Sequence, residues 1–169
     1  MNASISGIRV LLRELRTEDL GTYLDWQCSE TVGKRLSWLP RTREEATKSF
    51  EDAIREQKNP DRQRYFMAIA RQGDGEIVGS VGISKLSPTE ADMGWFLRPG
   101  FEGNGYAVEG ARLMLDLCSK IEKLELLRAS CRRENVKSEN IMKKLDFRLE
   151  KETPERVWYV FDLNRNNAR

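Results

Sequence analysis

The residues best placed to do chemistry in this chain of 169 residues are glycines. The stretch "RPGFEGNGYAVEGARLML", Arg98 to Leu115, places Gly100, Gly103, Gly105 and Gly110, four of the 12 glycines, within eleven positions. Gly100, Gly103 and Gly105 permit positive φ and leave backbone N–H groups without shielding side chains. An apolar-periodic helix follows, and exposed N–H groups backed by a helix dipole make a seat for a pyrophosphate. The other reading is a bare strand-to-helix turn. Two better-known phosphate fingerprints do not fit: a dinucleotide site would need glycine or alanine where Val108 stands, and no Gly-Lys-Ser/Thr follows for a P-loop. The chain has no histidine. That excludes Ser-His-Asp and Cys-His catalysis and histidine-rich zinc sites, and no metal site is expected. Acid–base work falls to carboxylates, Tyr, Cys, Lys, a hydroxyl or water.

The elements that must hold this turn are readable from periodicity. "IRVLLREL" is a first strand, and "RTEDLGTYLDWQCSE" a helix with Thr17 as cap and Leu20, Leu24 and Trp26 on its apolar side. Thr42 and Glu45 have capping-box spacing ahead of a second helix that buries Ala46, Phe50, Ala53 and Ile54 and ends near Asn59-Pro60. "RYFMAIA", "IVGSVGISKL" and "ADMGWFL" follow with short turns, which predicts an antiparallel meander. Ala107, Ala111, Met114, Cys118 and Ile121 form a helix stripe. "LELLRASCRRE", "SENIMKKL" and "VWYVFDL" then read as strand, helix and closing strand. The crossover after "ADMGWFL" places that fourth strand parallel to the fifth, and a bulge in the fourth would part the two and open a slot. The expected fold is a single-domain mixed α/β sheet spanning residues 1–169.

The totals exclude several classes. With 29 basic and 27 acidic residues the net charge is +2, too small to make nucleic acid the main partner. No segment is apolar enough to span a membrane, and none reads as a secretory leader. Cys28, Cys118 and Cys131 lack metal spacing, and Cys118 and Cys131 sit in apolar segments as small buried hydrophobes. A cytoplasmic protein is expected.

At the glycine turn the sequence resembles the acetyl-CoA-binding motif of the GNAT N-acetyltransferases, in particular the ribosomal-protein-alanine acetyltransferase (RimJ/RimL-like) branch. Pro99, Gly103, Gly105, Tyr106, Ala107 and Glu109 match that motif in register. Asn135 and Ser138, then Lys144, Leu145 and Phe147, match a second family element, and "IRVLLRELRTEDL" is similar to the branch's first strand. Four positions depart from it. Gly100 stands where Gln or Arg is common, and Glu102 where the branch often has Trp; Gly110 replaces an alanine and Asp146 a glycine. A carboxylate beside a pyrophosphate is unfavourable, so Glu102 is expected to face outward. Asp146 tolerates a left-handed backbone better than most residues.

The resemblance implies a mostly antiparallel GNAT sheet and acetyl transfer from acetyl-CoA to a primary amine by direct attack. Backbone N–H groups around Phe96 and Leu97 would hold the pantetheine; Gly100, Phe101, Gly103, Asn104, Gly105, Tyr106 and Ala107 the pyrophosphate; and Asn135 the pantetheine arm. Ser138 matches the position of a general acid toward the CoA sulfur, or else caps the helix it opens. Strand alternation sets Asp92 with Gly94 and Phe96, opposite Met93, Trp95 and Leu97, and a partly buried Asp92 is the candidate base, with Glu90 or water as alternatives. Tyr106 and Tyr159 read as packing aromatics. Trp38 belongs to the acceptor cleft or the core, and Arg35, Arg41 and Arg43 attract an anionic acceptor or face solvent. An α-amine, with a pKa of about 7.7–8.0, needs less help from a base than a lysine near 10.4. The alternative function is a non-catalytic CoA-binding module. The closing strand is expected as an edge available for homodimer pairing.

Overall fold

The computed structural model describes residues 4–36 and 40–166. Eight strands form one sheet in the order β1-β2-β3-β4-β5-β6-β8-β7. They are β1 Ser4–Ser6, β2 Val10–Glu14, β3 Arg64–Arg71, β4 Ile77–Lys85, β5 Glu90–Leu97, β6 Leu126–Arg132, β7 Arg148–Glu152 and β8 Arg156–Asp162. The helices are α1 Leu20–Gln27, α2 Glu30–Leu36, α3 Arg43–Glu56, α4 Tyr106–Cys118, α5 Val136–Lys144 and α6 Leu163–Asn166, with a 3-10 turn at Thr17–Asp19. Every neighbouring pair is antiparallel except β5 and β6. This is the mixed, mostly antiparallel α/β sheet that the sequence predicts.

The central strands are near-continuous apolar runs because both their faces are covered. Met67 and Ile69 of β3 pack with Ala111, Met114 and Cys118 of α4, whereas Phe66 and Ala68 face Tyr23, Trp26 and Phe50 of α1 and α3. Gly110 has a packing reason: a Cβ there would lie 2.7 Å from Ile69 Cδ1, so its absence lets α4 sit close on β3. Cys118 and Cys131 are buried as expected, and burial pushes the Cys118 thiol up to about 12. No described helix is long and apolar enough to cross a membrane.

Several expectations are corrected. Thr17 does not cap α1; instead the Asp19 carboxylate accepts the Arg16 N–H at 2.7 Å and pairs with buried Arg13. The Thr42–Glu45 capping box forms as predicted. β8 is not an edge, because β7 covers it. β1, β7, α2 and α6 are elements the sequence reading lacks.

Candidate active site

The site begins where β5 and β6 part. Their parallel pairing covers only Glu90↔Leu126, Ala91↔Leu127 and Asp92↔Arg128, although β5 runs on to Leu97 and β6 to Arg132. The expected bulge in β5 is absent: its register against β4 is unbroken from Lys85↔Ala91 to Gly79↔Leu97. The slot therefore opens because β6 leaves for β8, with which it pairs along its whole length, while β5 stays on β4.

The register also fixes which main-chain groups face the slot. Arg98 N–H donates to Val78 and Leu86 N–H to Glu90, so even-numbered β5 residues exchange their bonds with β4. Phe96 N–H belongs to that ladder. The groups of Trp95 and Leu97 point the other way, into the slot. Of the two residues singled out from sequence, Leu97 thus faces the slot through its backbone and Phe96 does not. Trp95 joins it, a residue the motif did not indicate.

Beyond Leu97 the chain turns through Gly100 (φ 90°), Gly103 (φ 86°) and Gly105 (φ 79°) into α4. A Cβ at Gly100 or Gly103 would meet nothing within 4 Å, so conformation and not crowding demands glycine there. Gly105 is the N-cap and contributes no side-chain cap, which leaves the first-turn N–H groups of α4 to another acceptor. Asn104 turns its Nδ2 back onto the Phe101 carbonyl at 3.4 Å, and Phe101 lies against the guanidinium groups of Arg71 and Arg98. Tyr106 and Ala107 pack into the core.

Glu102 departs from expectation. Its Oε2 accepts the Gly100 N–H at 2.9 Å, so it bends back onto the loop instead of facing away. Glu109, in the family register, accepts the Arg9 N–H at 2.8 Å and pairs with the Arg9 guanidinium at 3.3 Å, tying the first turn of α4 to the start of β2. Burial pushes its carboxyl up, but the N–H groups of Arg9, Val10 and Ile8 outweigh that and hold it low. Arg9 itself reaches the loop: its Nη1 is 3.9 Å from where a Gly105 Cβ would stand. Sequence reasoning missed Arg9, since only the fold brings it to this turn.

Asp92, Gly94 and Phe96 floor a cleft of about 1170 Å³ under α1 and α3, with Trp26, Phe66 and Ser80 among its lining residues. Their alternation against Met93, which is buried toward α4, is as predicted. Asp92 is exposed to this cleft, yet desolvation by the surrounding protein pushes its carboxyl up, against the pull of Arg128 and Arg156. Glu90 is engaged by Arg128 at 3.2 Å. Arg41 lines the cleft and donates to Ser49 Oγ, and Arg43 is exposed at the start of α3. Trp38 and the Arg35 side chain lie outside the described residues.

Asn135 and Ser138 come together at the start of α5, beside Cys131. Asn135 is the N-cap, its Oδ1 accepting the Ser138 N–H at 3.1 Å, so Ser138 is three residues inside the helix and its hydroxyl is not a cap. Tyr159 is buried and donates to Glu139 Oε1 at 2.8 Å, a packing role. Asp92 and Ser138 stand toward opposite faces of the sheet, on either side of the parting between β5 and β6.

A splayed parallel pair, a glycine turn and a helix N-terminus without a side-chain cap thus meet at one point of the sheet. Residues 9–148 match the acetyltransferase (GNAT) domain family, and the chain belongs to it. It is 29% identical over 142 residues to the uncharacterized N-acetyltransferase YnaD of Bacillus subtilis (strain 168), covering 84% of this chain and 81% of that one. Among solved structures it is similar in fold to ribosomal-protein-S5-alanine acetyltransferase from Vibrio fischeri (TM-score 0.80, 15% identity, 96% of this chain and 97% of that one). It is equally similar to spermidine N-acetyltransferase from Vibrio cholerae, solved with CoA and spermine (TM-score 0.80, 15% identity, 92% and 96%).

Proposed function

We propose that this protein transfers the acetyl group of acetyl-CoA to a primary amine, and that it belongs to the RimJ/RimL-like branch on the match of its two motifs. The observation that carries the reading is the glycine turn with its uncapped α4 N-terminus at the mouth of the β5–β6 slot. The residues present fit CoA. Loop N–H groups from Gly100 to Ala107, with Arg9 beside them, take the pyrophosphate; the slot-facing edge of Trp95 and Leu97 takes the pantetheine as an added strand would. Asn135 commits its Oδ1 to Ser138, which leaves its NH₂ for the pantetheine arm. Acetyl-CoA supplies a thioester, already activated for attack.

The remaining work is done by this chain. The acceptor amine must be neutral, and Asp92, the floor carboxylate of the cleft, takes its proton directly or through water. A raised carboxyl is the better base near neutral pH. Glu90 suits the task less because Arg128 engages it. The leaving sulfur needs a proton, and the Ser138 hydroxyl, half-buried at the start of α5, is the donor on that side. The three free cysteines suit a reducing compartment, and we infer a cytoplasmic site of action.

The test is acetyl-CoA consumption against a panel of peptides, polyamines and amino acids, with CoA binding followed separately. Acetylation of at least one amine, lost on Asp92→Asn or Ser138→Ala while CoA still binds, supports the reading. Tight CoA binding with no acetylated amine in any class favours the non-catalytic module instead.

A further inference from the structure

Six arginines are not exposed among the described residues: Arg13, Arg62, Arg71, Arg98, Arg128 and Arg156. Five of them have carboxylate partners, Arg13 with Asp19, Arg62 with Glu14, Arg71 with Asp74, Arg98 with Glu76 and Arg128 with Glu90. Arg156 is the exception. Its guanidinium donates to the neutral hydroxyl of Ser130 at 2.9 Å, and no ion pair to it is found among the described residues. This half-buried guanidinium has no directly bonded carboxylate among the described residues, and an anion is the partner its planar fork suits.

The register shows where this cation stands. Asp92 pairs with Arg128, Ser130 with Trp158 and Arg132 with Arg156, and paired residues share a face. Arg156 and Ser130 are therefore on the face of Asp92, not on the α4 face. Had the β5–β6 ladder continued, Ser130 would sit opposite Gly94. At Gly94 there is room, since a Cβ there would meet nothing within 4 Å. Asp92 and Gly94 are two residues apart, roughly 7 Å along the strand. Arg156 is also near enough to Asp92 to pull on its carboxyl.

We propose that Arg156 is the specificity-determining residue of the acceptor site, and that it selects an amine whose own molecule carries an anionic group a few bonds away. The inference rests on the transferase reading and names its substrate class. The amine meets Asp92, the anionic group enters the space over Gly94, and the guanidinium receives it while Ser130 holds that guanidinium in place. Carboxylate and phosphate share the required chemistry. A polyamine, with cationic groups along its length, is disfavoured at this end of the site.

Matched acceptors test this: glycine against glycinamide, 2-aminoethyl phosphate against ethanolamine, and Ala-Glu amide against Ala-Gln amide. For at least one pair the wild-type protein is expected to favour the anionic member by about tenfold or more in kcat/KM, through KM, as a charge-assisted bidentate contact would give. The pair that shows it identifies the source of the anion. In Arg156→Gln that ratio falls toward one, Arg156→Lys keeps part of it, and Ser130→Ala reduces it, with CoA affinity and melting temperature as checks on folding. No preference in any pair overturns the inference, as does an Arg156→Gln variant that slows both members equally or weakens CoA binding. Should no amine be turned over, the transferase reading fails. Calorimetric titration of the anionic members into the CoA-saturated protein then decides the anion site by itself: binding lost in Arg156→Gln supports it, and no binding to the wild type overturns it.

Discussion

Glu102 sets the loop's own carboxylate against the ligand the loop suits. Its bond to the Gly100 N–H occupies one donor of the loop proposed to hold the pyrophosphate, so on that reading CoA would have to displace a negative charge. Glu102→Gln is expected to tighten CoA several-fold, most visibly at low salt, by calorimetry. Asp92→Asn is expected to lower kcat by about 10²-fold or more while leaving the CoA Kd unchanged, the usual scale of a lost general base. The sign of its pH effect on stability follows from its position. The folded-state carboxyl lies above the ordinary 3.8, so ionising Asp92 costs more in the folded than in the unfolded protein. The wild type therefore loses stability relative to Asp92→Asn as pH rises through the interval between 3.8 and the raised value. Parallel melts of the two proteins from pH 3 to pH 7 would show it.

At the scale of elements, α4 and α5 are aimed by small features at their ends. Asn135→Ala removes the N-cap of α5 and is expected to cost about 1 kcal/mol in urea unfolding, and it also frees the backbone around Ser138. Gly110→Ala places a methyl against Ile69; despite alanine's better helix propensity, a loss of about 1–3 kcal/mol is expected from overpacking. What could be seen in the sequence followed from locality. The α4 stripe, the Thr42–Glu45 box, the meander and the glycine turn each declare themselves within a few residues, and the structure agrees with them. β7 could not be seen, because "RLEKE" has no alternation and becomes a strand only through its pairing with β8, across an irregularity between Leu149 and Lys151. The slot was located correctly but for the wrong cause. A bulge is a local device, whereas the parting of β5 and β6 depends on where β8 draws β6. Trp95 was missed for a similar reason: which backbone groups face the slot is a matter of register, which hydrophobicity does not encode.

At the scale of the whole molecule, the two ends of the chain's first two-thirds meet at one point. Glu109 and Arg9, 100 residues apart, join the start of β2 to the first turn of α4, so a contact distant in sequence holds the glycine turn against the sheet. Arg9→Gln is expected to weaken CoA binding and flatten its dependence on salt, since one cation near the pyrophosphate is lost. The far side of the sheet has a different bearing. All five residues of β7 are exposed and four of them are charged, while at the opposite edge β1 offers only three residues. Neither border gives another copy a long apolar strand to extend. Growth of the sheet from one copy into the next is therefore disfavoured at both described borders, which keeps the sheet finite.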